Sequence, residues 1–414
     1  MGIKIAYLVD QFPALSETFI LHQITGMIDR GHEVDIYANH IGNRSKIHPE
    51  VEHYQLLEKT HYLEVPSNYL FRGINAFNII GNHISKKSNV WLHSLNIFKY
   101  GRQAISLKLL HSASRFLQKP SYDIIHCQLG FLGLQGLLFK DIGVFQGKLI
   151  VSFRGADLSV YIHKYGEHVY KRLFERGDVF LPVSESMQRK LIDLGCDEKK
   201  IIIHRSGLDL ESFDSQPPPY RFDEKVRLVT VGRLVEKKGI KYAIKAVAQL
   251  VKFYPHIEYQ IIGEGPLLGE LQQLIQELGL EVFVKAIGWK NKPEVIEILK
   301  NSDILVAPSV TSHDGDQEGI PNVLKEAMVM GLPVVSTLHS GIPELVEDGV
   351  SGFLVPERDV DTLAQKLDYL IHHPERCTEM GSAGRAYVRE HYDLNNLNDR
   401  LAEIYKTSIS CSGH

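Results

Sequence analysis

Short apolar runs of strand length alternate along the whole chain with longer stretches whose apolar residues recur at helical spacing. The runs fall at 3–9, 33–38, 123–127, 148–153, 179–183, 200–204, 226–231, 258–262, 282–287, 304–307 and 333–336. Strand and helix signals in strict alternation predict parallel sheets joined by helical crossovers. Helices are predicted at 17–30, near 240–251, and from Asp361 to the end of the chain. One segment breaks the rhythm, Ser215-Gln216-Pro217-Pro218-Pro219-Tyr220. Three consecutive prolines cannot continue a helix and favour extended chain. The pattern therefore divides into a first Rossmann-like domain at 1–208, a Pro-rich hinge at 209–224, a second such domain at 225–390 and a last helical segment at 391–414.

Composition agrees with that division. At 414 residues the chain exceeds one ordinary core, and two domains of about 200 residues are the expectation. Hydrophobic residues make up 44% and charged ones 23%, as in a globular protein, and the net charge of −4 carries no sign of nucleic-acid binding. Cys127, Cys196, Cys377 and Cys411 are far apart with no Cys-x-x-Cys, which fits a reducing cytoplasm and argues against a zinc knuckle. The amino-terminal run reads as a first strand rather than a signal peptide, because Asp10 and Gln11 end it. No apolar run reaches the ~18 residues of a spanning helix. The charge is uneven in one place. Between Val65 and Tyr122 there is no Asp or Glu, while Arg72, Lys86, Lys87, Lys99, Arg102, Lys108, Arg115 and Lys119 are present among Trp91, Phe98, Tyr100 and Phe116. Such a segment suits anionic lipid or a polyanionic acceptor; it is equally the solvated face of two or three helices.

The chemistry concentrates in 318–352. Glu318 and Glu326 flank Pro321, a residue suited to opening a helix because its missing N–H costs nothing there. A free helix N-terminus seats phosphate, and carboxylates beside it make sense as acceptors for sugar hydroxyls. Together they suggest a nucleotide sugar. Upstream, Gly232-Arg233-Leu234-Val235-Glu236-Lys237-Lys238-Gly239 follows a strand and precedes a helix. Arg233 and Lys238 would project at the carboxyl edge of a parallel sheet, where a planar fork and a compact point charge suit a diphosphate. Lys237 reads as a solvated neighbour.

These residues resemble the retaining GT-B glycosyltransferases of family 4: the Gly-Arg…Lys-Gly loop, the Glu-x7-Glu pair, and the Gly-Leu-Pro-Val-Val-Ser…Gly-Ile-Pro-Glu-Leu-Val…Gly-Phe-Leu-Val tail, over about residues 200 to 390. Gln11-Phe-Pro-Ala-Leu-Ser-Glu-Thr-Phe-Ile20 and Ser152-Phe-Arg-Gly-Ala-Asp157 resemble the exopolysaccharide, colanic-acid-type subgroup. The resemblance implies the GT-B fold, two doubly wound Rossmann-like domains facing across a cleft, with the last helix crossing back to the first domain. It implies that Arg233 and Lys238 bind the diphosphate, Glu318 the donor sugar and Glu326 the ribose. The amides around Gly319, Ile320, Asn322 and Val323 would complete the donor site. It places the nucleobase near Gly263-Glu264-Gly265 and Trp289-Lys290.

Other motifs are weaker. Gly263-x-Gly265 lacks the third glycine of a dinucleotide fingerprint, since Leu268 stands there; a turn that brings backbone close to a base or phosphate fits better. Asp314-Gly315-Asp316 imitates a metal motif, but the twelfth position of a calcium loop would be Lys325. With Arg233 and Lys238 supplying cationic charge, no metal and no cofactor is expected, and the acidic loop with His313 would shape the donor pocket or touch the acceptor. His126 closes a strand where relatives carry His-x-His, with Gln128 at the second place; it is either catalytic or a satisfied interior histidine. Arg154 and Asp157 flank Gly155 at a strand end, as an internal ion pair or as positioners of acceptor or sugar. Ser16 reads as a helix N-cap.

The function expected is transfer of a hexose, best glucose from UDP-glucose, with retention, onto a glycan or lipid-linked oligosaccharide in exopolysaccharide or envelope polysaccharide biosynthesis. The enzyme would be cytoplasmic, at the inner face of the membrane. Rival readings are a GDP-mannose-dependent mannosyltransferase, a GT-B epimerase or phosphorylase, and a non-enzymatic binding protein.

Overall fold

The computed structural model describes residues 2–14, 17–44, 47–63, 65–66, 68–83, 88–117, 121–213 and 225–410. The three prolines of the hinge, Ser16, Lys86, Lys87 and Lys119 lie outside the described residues.

The chain builds two six-stranded sheets. The first contains β1 (Lys4–Phe12), β2 (Glu33–Ile41), β3 (Thr60–Tyr62), β4 (Ile124–Cys127), β5 (Lys148–Phe153) and β6 (Val179–Pro182), in the order β3-β2-β1-β4-β5-β6. The second contains β7 (Val226–Val231), β8 (Ile257–Ile262), β9 (Val284–Gly288), β10 (Ile304–Ala307), β11 (Val334–Thr337) and β12 (Gly352–Val355), in the order β12-β11-β10-β7-β8-β9. Every pairing is parallel. Both sheets follow one scheme: the chain lays two strands outward from the first, returns, and adds three on the other side. Each therefore has a crevice where the winding reverses, between β1 and β4 in one and between β7 and β10 in the other, the place where open α/β sheets bind ligands. This is the GT-B architecture.

Two edge strands escape the sequence pattern. Thr60–Tyr62 has three residues and no apolar run, and Gly352–Val355 begins on glycine. Conversely, 200–204 makes only an isolated bridge, Phe180 to Ile201, although the amides of Ile202 and His204 both donate to β6 carbonyls at 2.9 Å. The acid-free segment folds into five helices rather than two or three: Tyr69–His83, Ser88–Ser94, Ile97–Tyr100, Arg102–Ile105 and Lys108–Leu117. Helix Thr18–Asp29 starts without a side-chain cap.

The last helix, Leu394–Ser410, packs against Thr18–Asp29 at the far end of the chain. Gly26 makes that close approach possible, since a Cβ there would sit 2.0 Å from the Asn398 amide nitrogen. Arg30 Nε pairs with Asp399 at 2.8 Å, and the buried Tyr405 hydroxyl lies 3.0 Å from that of Tyr7. Among the described residues no helix is long and apolar enough to cross a membrane.

Candidate active site

The crevice of the second sheet collects the cationic loop and the paired glutamates. The 232–239 loop leaves β7, and the 308–321 loop leaves β10, the two strands at the reversal. Gly239, at φ +63°, lets them touch: a Cβ there would lie 1.8 Å from the Pro308 carbonyl oxygen, and the Val310 amide donates to Lys237 O at 2.9 Å.

Within that junction Lys238 Nζ sits 3.2 Å from Glu318 Oε1. Lys237 is not a solvated neighbour: it is largely buried, 3.0 Å from Asp316 and 3.6 Å from Glu318. Burial works to raise the Glu318 carboxyl, but Lys238 and Lys237 outweigh it and hold it below the usual range. Glu318 is thus an ionised acceptor in a low-dielectric seat. Its own amide donates to His339 Nε2 at 3.0 Å, and His339 Nδ1 lies 2.5 Å from Glu357. Accepting at Nε2 assigns the proton to Nδ1, so Glu357 orients His339, and His339 orients Glu318. Glu357 also takes the Thr311 amide at 2.9 Å. Sequence reasoning missed both residues; each lies in a loop outside any motif, and only the fold brings them under Glu318.

Helix Asn322–Val329 begins after Pro321, which occupies the cap position rather than the first turn. The amides of Gly319, Ile320, Asn322 and Val323 find no acceptor among the described residues, leaving four free donors in the loop after Glu318 and the first turn of this helix. Glu326 lies one turn further on, half-buried, its carboxyl raised by burial and lowered again in part by Lys325. Arg233 is exposed, without an ion-pair partner among the described residues. The crevice can therefore offer two cations and four amides to a diphosphate, and two carboxylates to sugar hydroxyls.

The glycines at the end of β8 serve the loops themselves. A Cβ on Gly263 (φ +139°) would lie 1.9 Å from the Gly232 carbonyl oxygen, and one on Gly265 2.5 Å from that of Leu234. The close approach anticipated for a ligand is made by neighbouring backbone. Leu234 N–H donates to Glu264 O at 2.9 Å, so the 263–265 turn and the Arg233 loop move as one. Glu264 is exposed, Trp289 is 53% exposed at the end of β9, and Lys290 pairs with Glu294 at 3.4 Å. These residues form the outer lip of the site. Asp314 is tied to its own loop through the Ser312 hydroxyl and the Asp316 amide, Asp316 is held by Lys237, and His313 pairs with Glu236 at 2.6 Å.

Across the cleft stand the ends of β4 and β5. His126 is fully buried, with Nδ1 2.6 Å from Tyr405 Oη and Nε2 2.8 Å from Ser152 Oγ. Burial, reinforced by Arg154, keeps it neutral, well below its ordinary value. Both nitrogens are used, which fits the satisfied interior histidine and leaves none for a substrate. Asp157 and Arg154 are not an ion pair either. The Asp157 carboxylate accepts the amides of Gly130, Arg154 and Gly155 at 2.9–3.2 Å and so shapes the loop. The Arg154 guanidinium bonds Ser206 Oγ at 3.0 Å, Gln128 Oε1 at 2.7 Å and Gln23 Oε1 at 3.2 Å, and burial lowers it to about 10. What meets the 308–321 loop is backbone: a Cβ on Gly319 would lie 2.9 Å from the Arg154 carbonyl oxygen. Beside β2, a cavity of about 1900 Å³ opens past Asn39, His40, Gln135 and Tyr161.

The chain matches two family descriptions in tandem, Glycosyltransferase Family 4 over residues 16–212 and Glycosyl transferases group 1 over 212–387. It is 38% identical to the amylovoran biosynthesis glycosyltransferase AmsK of Erwinia amylovora, covering 97% of this chain and 99% of that one. Among solved structures, Anabaena HepE in complex with UDP and glucose superposes with a TM-score of 0.74 at 19% identity, covering 98% of this chain and 100% of that one. Sucrose-phosphate synthase of Thermosynechococcus elongatus gives 0.75 at 17% identity, covering 99% and 100%.

Proposed function

This chain belongs to glycosyltransferase family 4, and from that premise we propose that it transfers glucose from UDP-glucose, with retention, onto a glycan or lipid-linked oligosaccharide in exopolysaccharide biosynthesis. The observation that carries the reading is the convergence of Arg233, Lys238, four unpaired amides and the ionised Glu318 on one sheet crevice. AmsK, named for amylovoran biosynthesis, supports the pathway class. HepE, solved with UDP and glucose, supports the donor.

In this proposal the diphosphate lies on the amides at the head of helix Asn322–Val329, between Arg233 and Lys238. Lys238 exchanges its Glu318 contact for phosphate, and Glu318, released, accepts hydrogen bonds from the sugar. Glu326 holds the ribose. Negative charge grows on the diphosphate as the glycosidic bond breaks, and the preorganised cations and amides stabilise it there. The three first-domain candidates among the described residues, His126, Arg154 and Asp157, are all committed internally. As the resemblance to retaining GT-B enzymes implies, the acceptor hydroxyl attacks from the leaving-group side, its proton passing to the departing phosphate oxygen. We place the acceptor in the first domain, in the cavity beside β2, and the reaction in the cytoplasm. Arg233 and Lys238 supply the counter-charge, so turnover proceeds with EDTA present.

Release of nucleoside diphosphate from UDP-, GDP- and ADP-sugars, with EDTA present, tests this. UDP release from UDP-glucose alone is the expected result. Release from GDP-mannose alone overturns the donor assignment, and an isomer or sugar phosphate as product overturns the transferase. Lys238→Ala lowers turnover by about 10²–10³-fold. Glu326→Gln chiefly raises the donor KM, by about tenfold, for one weakened charged hydrogen bond. Wild-type rate and affinity in both variants would sink the site.

A further inference from the structure

We infer that helix Tyr69–His83, together with exposed side chains within 92–105, forms a docking face for an anionic bilayer surface. Helix Tyr69–His83 is amphipathic in the reverse sense for a helix facing water. Its inward stripe is Arg72, Ala76 and Ile79. Its outward stripe, at the same helical spacing, is Leu70, Ile74 and Phe77, which are 78%, 59% and 81% exposed. The orientation is fixed from inside. Arg72, 4% exposed, spends its guanidinium on the carbonyls of Pro66 at 2.9 and 2.6 Å and of Ser106 at 2.8 Å. Rolling the helix to hide the apolar stripe would pull this buried cation off its acceptors.

The helices that follow in the chain expose apolar side chains as well. Leu92, Ile97, Phe98 and Ile105 are all exposed, and nine of the nineteen exposed large apolar side chains among the described residues fall within 69–105. Concentration in one run of helices marks an interaction site, where singly scattered exposure would not. Charge selects the occupant. The segment between Val65 and Tyr122 contains no acid, and Lys99, Arg102, Lys108 and Arg115 are exposed on it. A second copy of this chain would bring cations against cations across a two-fold axis. An anionic interface accepts both features, apolar side chains entering the acyl boundary while Lys and Arg meet head groups. The face also adjoins chemistry: Tyr69, Asn75 and Asn78 line the cavity that runs to Asn39 and His40. The inference rests on the surface itself and is independent of the donor assignment.

The test is sedimentation of the full chain with vesicles of phosphatidylcholine alone or with added phosphatidylglycerol. Binding is expected only to the anionic vesicles. The triple variant Leu70→Glu, Ile74→Glu, Phe77→Glu is expected to lose it at least tenfold, with an unchanged circular-dichroism spectrum and unchanged donor-only release of nucleoside diphosphate. Lys99→Glu with Arg102→Glu weakens it several-fold, and salt weakens the wild type likewise. Three results overturn the proposal: no binding by the wild type, equal binding to both vesicles, or equal binding by the triple variant. Self-association of the wild type that the triple variant abolishes would reassign the face to a second copy.

Discussion

Lys325 stands beside Glu326 in helix Asn322–Val329, yet its ammonium turns toward the other half of the molecule. Nζ donates to the Ser206 carbonyl at 2.8 Å and lies 5.3 Å from the Tyr392 ring centroid, and the side chain is 1% exposed. Nothing in the local sequence marks it, because its partner is 119 residues away. Arg233, Lys238 and Glu318 could be picked out as candidates for the opposite reason: loop glycines and charge at a strand end are visible within a few residues. His126 shows the same limit, since spacing cannot tell an interior histidine from a working one until Tyr405 and Ser152 are found on its two nitrogens. Lys325 yields a prediction. Burial lowers its pKa from 10.5 to about 7, with Glu326 opposing and Arg154 assisting. Above about 7 the unfolded chain still holds the proton that the folded one has released, so this residue makes stability rise with pH toward the ordinary lysine value. Below about 7 both states are charged and the burial cost is fully present. Lys325→Met removes that slope, and loss of the cation raises the buried Glu326 further, which acts in the same direction. The Tm of the wild type minus that of the variant should therefore increase between about pH 6.5 and about pH 8.5, at roughly 2–4 °C per kcal/mol. A flat difference in calorimetry would remove Lys325 as a titrating group.

At the level of elements, strand and crossover order could be read from the chain, whereas the way loops lock together could not. Gly263 was visible as a turn residue; that its missing Cβ admits the Gly232 carbonyl depends on β7 and β8 lying side by side. The tail Gly341-Ile-Pro-Glu344 was visible as a motif without a task. In the structure Glu344 reaches across the cleft to helix Glu185–Asp193, accepting the amides of Glu185 at 2.6 Å and Ser186 at 2.8 Å. A carboxylate on two free amides at a helix N-terminus is favoured by charge as well as by geometry. Beside it, Gly341 has no room for a Cβ against Ile320, 2.9 Å away, so this clasp is continuous with the donor loop. Glu344→Ala should loosen closure by about 1–2 kcal/mol, raising the donor KM roughly five- to thirtyfold. Small-angle scattering should show a larger radius of gyration for the variant, and Glu344→Gln, which keeps one acceptor oxygen, should fall between. A variant of wild-type KM and dimensions would mean that closure does not depend on this contact.

Over the whole molecule the two sheets repeat one winding, and what makes them a single machine is the chain's return. Helix Leu394–Ser410 follows a bridge between Leu208 and Asp393 and buries Leu401, Ala402, Ile404 and Tyr405 on the first half, in the core that includes Ile20, Ile24 and Met27. Its direction was suggested by resemblance; the residues that seat it could not be, because Gly26 and Asn398, or Tyr7 and Tyr405, declare no mutual interest at nearly four hundred residues' separation. At about 1.5–3 kcal/mol for each large apolar side chain, that contact is comparable with the whole stability of an ordinary domain, about 5–15 kcal/mol. Ending the chain at Asp393 should therefore unfold the first half while the second sheet survives. Hydrogen exchange would show it as protection lost in β1 and β2 and kept in β7 and β10. Tyr405→Phe separates packing from polarity. It keeps the ring and removes the hydroxyl shared by Tyr7 and His126, costing about 1–2 kcal/mol. Activity should persist in that variant, because His126 is assigned no part in the chemistry; a collapse of turnover with the fold intact would restore one.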